Sequence, residues 1–200
     1  MSGRFIVIEG ADATGKSTQV ARLARRLRAG GTEVVETFEP GSTDAGREIR
    51  ELLLGGRALT PETEAFLMAA DRAEHVQEVV RPAVARGAVV VSDRYLPSSL
   101  VYQGVVRGLG VGRISDLNQL ATGGVEPDVV IVLDAPDEIA ETRRAPTADR
   151  FEREGEQFHR EVRAAYRQLS DKEGWVVVDA AGSPDDVADR VWRAVEPHLS

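Results

Sequence analysis

The chain has 200 residues, a formal net charge of −8 and no cysteine. That length suffices for one domain with a substantial core, the acidic balance argues against a nucleic-acid surface, which needs a basic face, and the missing thiols exclude disulfides, thiolate nucleophiles and cysteine metal sites. His75, His159 and His198 are scattered without metal-ligand spacing, no apolar run reaches membrane-spanning length, and the sequence enters a strand at once, so a cytoplasmic protein without membrane partners is expected.

The first strand, residues 4–9, leads through Phe5-Ile6-Val7-Ile8 into EGADATGKST, where Gly10, Gly15, Lys16 and Ser17 stand at the spacing G-x-x-x-x-G-K-[ST]. A loop of this length turns successive backbone N–H groups inward around a phosphate, and its glycines permit the backbone angles and the close approach. A helix over 16–29 adds its positive N-terminal end. Residues Gly10, Ala11, Asp12, Ala13, Thr14, Gly15, Lys16, Ser17 and Thr18 are therefore expected to hold a nucleoside triphosphate, with Lys16 on its β- and γ-phosphates and Ser17 on Mg²⁺. Only two lysines occur in the chain, Lys16 and Lys172, so composition alone does not produce the match.

The second strand, 33–37, ends in Thr37-Phe38-Glu39-Pro40-Gly41 and precedes a helix over 44–55 carrying Arg47 and Arg50. A long helical pattern over 61–86 opens with the cap Thr60 and Pro61 in its first turn. The third strand, 88–92, ends in Ser92-Asp93-Arg94-Tyr95, a carboxylate placed to hold Mg²⁺ beside an arginine suited to phosphoryl oxygens. Helical patterns over 98–107 and 113–122 follow. The fourth strand, 128–133, ends at Asp134, where a helix cap and a catalytic role both stay open. After a helix over 136–143, arginines 143, 144, 150 and 153 mark a lid at about 142–153 that closes over phosphates. A helix over 151–171, a strand over 175–179 and a Ser183-capped helix over 184–197 complete the chain.

All five strands are short, rich in Val and Ile, and continuously apolar rather than alternating, as in parallel strands covered on both faces. The expected fold class is α/β: a P-loop NTPase-type three-layer sandwich, with a central five-stranded parallel sheet flanked by helices. The expectation is a single domain over 1–200 that binds ligands beyond the carboxyl ends of the strands.

As a set, EGADATGKSTQ, EPGST…GREIRELLLG, AADRAEHV, SDRYLPSSLVYQG, PDVVIVLD and DRFE resemble the thymidylate kinase (dTMP kinase) family of P-loop nucleoside-monophosphate kinases, from Phe5 to the last helix. The resemblance implies phosphorylation of dTMP to dTDP with Mg-ATP. It implies catalytic roles for Lys16, Asp12, Arg94 and Arg150, with Arg143 and Arg144 near ATP and Ser17 and Asp93 at the metal. Asp12 matches the carboxylate that binds the acceptor 3′-hydroxyl, and Arg50 and Arg94 match the pair on its 5′-phosphate, with Glu39 nearby. Arg72 is similar to the arginine at the thymine edge, Ser99 and Gln103 fall near base and sugar, and Tyr102 matches the ring against the deoxyribose. It also implies a homodimer, for which Val76, Val79, Val80 and Val84 stand open between interface and core.

Four departures stand out. Phe38 replaces an arginine, and Pro97 an acidic residue. Ala13 replaces a glycine, which requires that the position need no positive φ. Met68 replaces the phenylalanine that stacks on thymine, and Phe66 lies about 200° away around the helix; methionine still covers an aromatic face, with less shape selectivity. Rival readings are a related deoxynucleotide or nucleoside kinase with relaxed base specificity and a non-catalytic nucleotide switch; against the switch, no Asn-Lys-x-Asp motif is present, Asn118-Gln119 being the nearest approach.

Overall fold

The computed structural model describes residues 3–136, 150–151 and 153–199; the predicted helix at 136–143, apart from Pro136, and most of the predicted lid, with Arg143 and Arg144, lie outside them. Five parallel strands form one sheet in the order β2-β3-β1-β4-β5, from β1 (Arg4–Glu9), β2 (Val34–Phe38), β3 (Val89–Asp93), β4 (Val129–Asp134) and β5 (Val176–Asp179). In register, Ile6 lies between Val91 and Val129, and Ile8 between Asp93 and Ile131.

The continuous apolar pattern has a direct cause. Successive side chains of a strand point to opposite faces, and both faces of the inner strands β1, β3 and β4 are covered. The edge strands β2 and β5 depart from the expected pattern, β2 carrying Glu36 and Thr37 and both leaving a residue, Phe38 and Val177, exposed. Phe5, Val7, Val90, Val130 and Val132 join one core cluster, and Ile6, Ile8, Val89, Val91, Val129 and Ile131 join another. The second cluster is closed by α1 (Lys16–Ala29), through Val20, Leu23 and Leu27, and by the C-terminal helix Pro184–Val195, through Val187, Val191 and Val195. That last helix carries the expected cap: Ser183 and Asp186 form a reciprocal capping box.

The other face is covered by longer pieces. After α2 (Asp44–Leu54), α3 (Pro61–His75) passes through a π-helical stretch (Val76–Val80) into α4 (Arg81–Ala85). Likewise α5 (Leu96–Ser99) continues as a π-helical stretch (Leu100–Val106), followed by α6 (Val111–Thr122). The 61–86 pattern is thus one path with a π-helical interruption, and the 98–107 pattern begins two residues early. α7 (Glu156–Glu173) starts five residues later than the pattern suggests and packs on the second π-helical stretch; α8 (Pro184–Val195) ends the regular helices. Val76 and Val80 are fully in the core and Val84 packs against it. Backbone bonds Arg94 N–H to Ile8 O (3.0 Å) and Glu39 N–H to Asp93 O (3.0 Å) tie the ends of β1, β2 and β3 together. Their loops meet where the connections leave the sheet in opposite directions, the usual place for a ligand.

Candidate active site

Beyond β1 the chain turns at Gly10, whose φ of 135° and 2.5 Å clearance between an added Cβ and Leu133 O exclude any larger residue. The loop then delivers the first turn of α1. Lys16 is buried, and its Nζ donates to Ala11 O at 2.8 Å, a carbonyl that also accepts from Thr14 Oγ1 at 2.9 Å. Burial, reinforced by Arg94, pulls the Lys16 pKa below its ordinary value. Ala13 overturns one expectation: its φ is 62°, in the left-handed region that glycine adopts without cost.

Ser17 Oγ donates to Asp93 Oδ2 at 2.5 Å, joining the ends of two neighbouring elements on the cavity wall. Among the described residues no cluster of three or more His, Cys, Asp or Glu could hold a metal. A hydroxyl and a carboxylate suit Mg²⁺ nonetheless, because that ion keeps few protein oxygens and completes its shell with water and substrate phosphates.

Arg94 sits at the centre. Its backbone is left-handed (φ 74°), a strain typical of functional positions. Its guanidinium pairs with Asp12, donates to Ser98 Oγ at 3.0 Å and lies 5.4 Å from the centre of the Tyr102 ring. Burial alone raises the Asp12 pKa, but Arg94 and Lys16 outweigh it and hold the carboxyl below its usual range. Beneath Arg94 lies Glu9, a fully buried carboxylate that the motif reading passed over. It accepts from Tyr95 N–H (2.8 Å), Ser98 N–H (3.1 Å), Ser98 Oγ (2.7 Å) and Tyr166 OH (2.8 Å). Burial raises its pKa despite the opposing charge of Arg94. A charged residue ending an otherwise apolar strand was the available signal.

The strand ends open into one cavity of about 590 Å³, within the range of small-molecule sites. Its wall is formed by Asp12, Ala13, Gly15, Lys16, Ser17 and Thr18, by Arg50, Leu54, Met68, Tyr102, Gln103 and Phe151, and by Glu39, Asp93 and Arg94. Tyr102 OH donates to Asp12 Oδ2 at 3.3 Å, so the loop and the aromatic side meet there. Arg50 donates to Pro40 O at 2.6 Å and stands 5.7 Å from the centre of the Phe38 ring, so Phe38 flanks that guanidinium. Gly41, at φ 112°, leaves it room: an added Cβ would lie 2.8 Å from Arg50 Cδ. Met68 faces the cavity, whereas Phe66 is 63% exposed and takes no part. Phe151, packed edge-on to Tyr102 at 5.8 Å, is an aromatic contribution that only the DRFE motif hinted at.

Two groups expected at the base stand behind this wall. Arg72 is buried and spans Glu39 (2.8 Å), Ser99 (3.0 Å), Asn118 and Tyr95 O (3.0 Å); neither Arg72 nor Ser99 lines the cavity. The pull is electrostatic, because Glu39, also bound by His75 Nδ1 at 2.7 Å, is a buried carboxylate needing a partner. His75 Nε2 meets Thr37 Oγ1 at 2.8 Å. Beside them Asp71 accepts from Gly41 N–H at 2.8 Å, and burial with the neighbouring Glu39 raises its pKa to about 6. Arg150 is likewise not on the phosphate loop: it donates to Leu53 O (2.9 Å) and Glu64 (2.7 Å), between α2 and α3. Asp134, left open by its sequence, is paired bidentately with Arg167.

A family model described as thymidylate kinase matches residues 8–191. Among curated relatives, the thymidylate kinase of Thermomicrobium roseum is 49% identical over 196 residues, covering 96% of this chain and 93% of its own. That of a Synechococcus strain is 47% identical over 197 residues (98% and 95% covered), and that of Leifsonia xyli is 47% identical over 191 (93% and 91%). The chain belongs to the thymidylate kinase family. No helix among the described residues is long and apolar enough to cross a membrane.

Proposed function

We propose that this chain transfers the γ-phosphoryl group of ATP to dTMP, giving ADP and dTDP, and works as a cytoplasmic homodimer. The observation that carries this reading is the cavity that brings the phosphate loop together with Arg50, Arg94, Tyr102 and Gln103. The relatives' shared name, thymidylate kinase, supports the acceptor. A phosphate oxygen of dTMP attacks the γ-phosphorus in line as the bond to the β–γ bridging oxygen breaks. That oxygen is already anionic at neutral pH, so no strong general base is required, and catalysis rests on positioning and charge stabilisation. The loop amides and Lys16 hold the donor, and Arg50 and Arg94 hold the acceptor phosphate. Ser17 and Asp93 hold Mg²⁺, which supplies charge neutralisation when bound. Tyr102 and Asp12 meet the deoxyribose, Met68 covers one face of the base, and Gln103 meets its edge. Arg72 and Ser99 reach the base only by exchanging one of their present partners. Arg143, Arg144 and Arg150 serve the moving phosphoryl group when the lid closes, which for Arg150 means leaving Glu64.

The test is ADP release with dTMP, dUMP, dCMP, dGMP, AMP, UMP, CMP and thymidine. Strong preference for dTMP is expected. Equal turnover of dTMP and dUMP shows that the Met68 pocket does not read the thymine methyl, and turnover of thymidine without any monophosphate overturns the roles of Arg50 and Arg94.

A further inference from the structure

Glu64 belongs to none of the motifs that mark the site, yet its carboxylate is buried to 1% exposure behind Gln103 of the cavity wall. It arrives there in the first turn of α3, whose start is fixed by Thr60 accepting from Thr63 N–H. Its Oε1 accepts from Gln103 Nε2 at 2.7 Å, and its Oε2 from Arg150 at 2.7 Å. Arg107 approaches Oε1 at 3.5 Å and is itself held by Glu154 at 2.8 Å. A carboxylate bracketed by two guanidiniums offers acceptors only, so Gln103 must turn its NH₂ toward Glu64. The carbonyl end of that amide is then left over. Gln103 Oε1 is buried and has no hydrogen-bond partner, while the residue lines the cavity.

We propose that Glu64 is a positioning residue for base selection: by fixing the Gln103 amide, it presents an acceptor, never a donor, to the acceptor nucleotide's base. Thymine and uracil carry a ring N3–H that satisfies such an acceptor. Cytosine carries a bare N3 lone pair at the same place, which would face Oε1 and leave it buried and unpaired. The inference rests on the proposed contact between Gln103 and the base edge.

The experiment compares kcat/KM for dTMP and dCMP in the wild type, Glu64→Gln, Gln103→Leu and the double variant. A glutamine at position 64 both donates and accepts, so the Gln103 amide is free to turn over. The dTMP/dCMP ratio is read because any general loss of turnover, including one caused by releasing Arg150, cancels from it. The expected result is a ratio lowered at least about tenfold in E64Q, lowered in Q103L, and no lower in the double variant than in Q103L. An unchanged ratio in Q103L overturns the base-contact reading and the inference with it. A collapsed ratio in Q103L with an intact one in E64Q overturns the role of Glu64 alone. If E64Q does not fold, hydrogen exchange at the Gln103 side-chain amide of the wild type decides. Protection both without and with dTMP is expected, and rapid exchange in either state overturns the proposal.

Discussion

At the scale of single residues, the phosphate loop carries a cost that its motif does not need. Ala13 is held at φ 62°, where a Cβ crowds the backbone at a cost of about 1–2 kcal/mol. Glycine there removes the crowding but adds about 0.4–1 kcal/mol of unfolded-state entropy. Ala13→Gly is therefore expected to stabilise the fold by about 0.5–1 kcal/mol, read as a higher urea midpoint at unchanged slope; a lower midpoint overturns this. Arg94 is strained in the same way, but its guanidinium connects Asp12 with Ser98, so a glycine that relieves the strain there also removes that link. Met68 and Phe66 show how far one residue's fate can be read in advance. Helical spacing separates them, and the structure puts one on the cavity and the other in solvent. The partners of Arg72 could not be read so, because they come from Glu39, Tyr95, Ser99 and Asn118, on three separate stretches of chain.

At the scale of elements, α3 presents its polar residues to the ends of β2 and β3, and one of them titrates in an accessible range. Asp71 has its pKa raised to about 6, from an ordinary value near 3.9 when unfolded. Between those values the folded state binds the proton more tightly, so stability is lost as pH rises from about 4 to 6. Asp71→Asn removes this dependence. Relative to wild type it should gain about 3 kcal/mol between pH 4 and 7, an upper figure, in denaturation curves taken across that range; parallel profiles would refute the assignment. The strands themselves were legible to within one residue, because burial on both faces leaves an unbroken apolar run in the inner strands β1, β3 and β4. The π-helical stretches Val76–Val80 and Leu100–Val106 were not. Such turns answer to tertiary packing rather than local propensity, and the second of them is what sets Tyr102 and Gln103 on the cavity wall.

At the scale of the whole molecule, of the four valines open between interface and core, Val76 and Val80 lie in the core and Val84 packs against it, while half-buried Val79 and other exposed residues stay open for the proposed dimer. Phe66 on α3 is 63% exposed, and Leu120, on the packed neighbour α6, is 83% exposed. Replacing both with Asp is expected to halve the mass seen by sedimentation while leaving the far-ultraviolet dichroism unchanged; an unchanged mass excludes this face as the interface. The cavity has its own molecule-wide property. Among the described residues that line it, Lys16 rests on Ala11 O, Arg50 on Pro40 O and Arg94 on Asp12. A phosphate entering here does not meet waiting cations; it competes with partners they already have. Binding is then an exchange, and its free energy is a difference between two sets of contacts. A ligand that engages one such group at a time gains little, while a nucleotide anchored by its base and sugar displaces several partners together. Loose anions, with no such anchor, gain least.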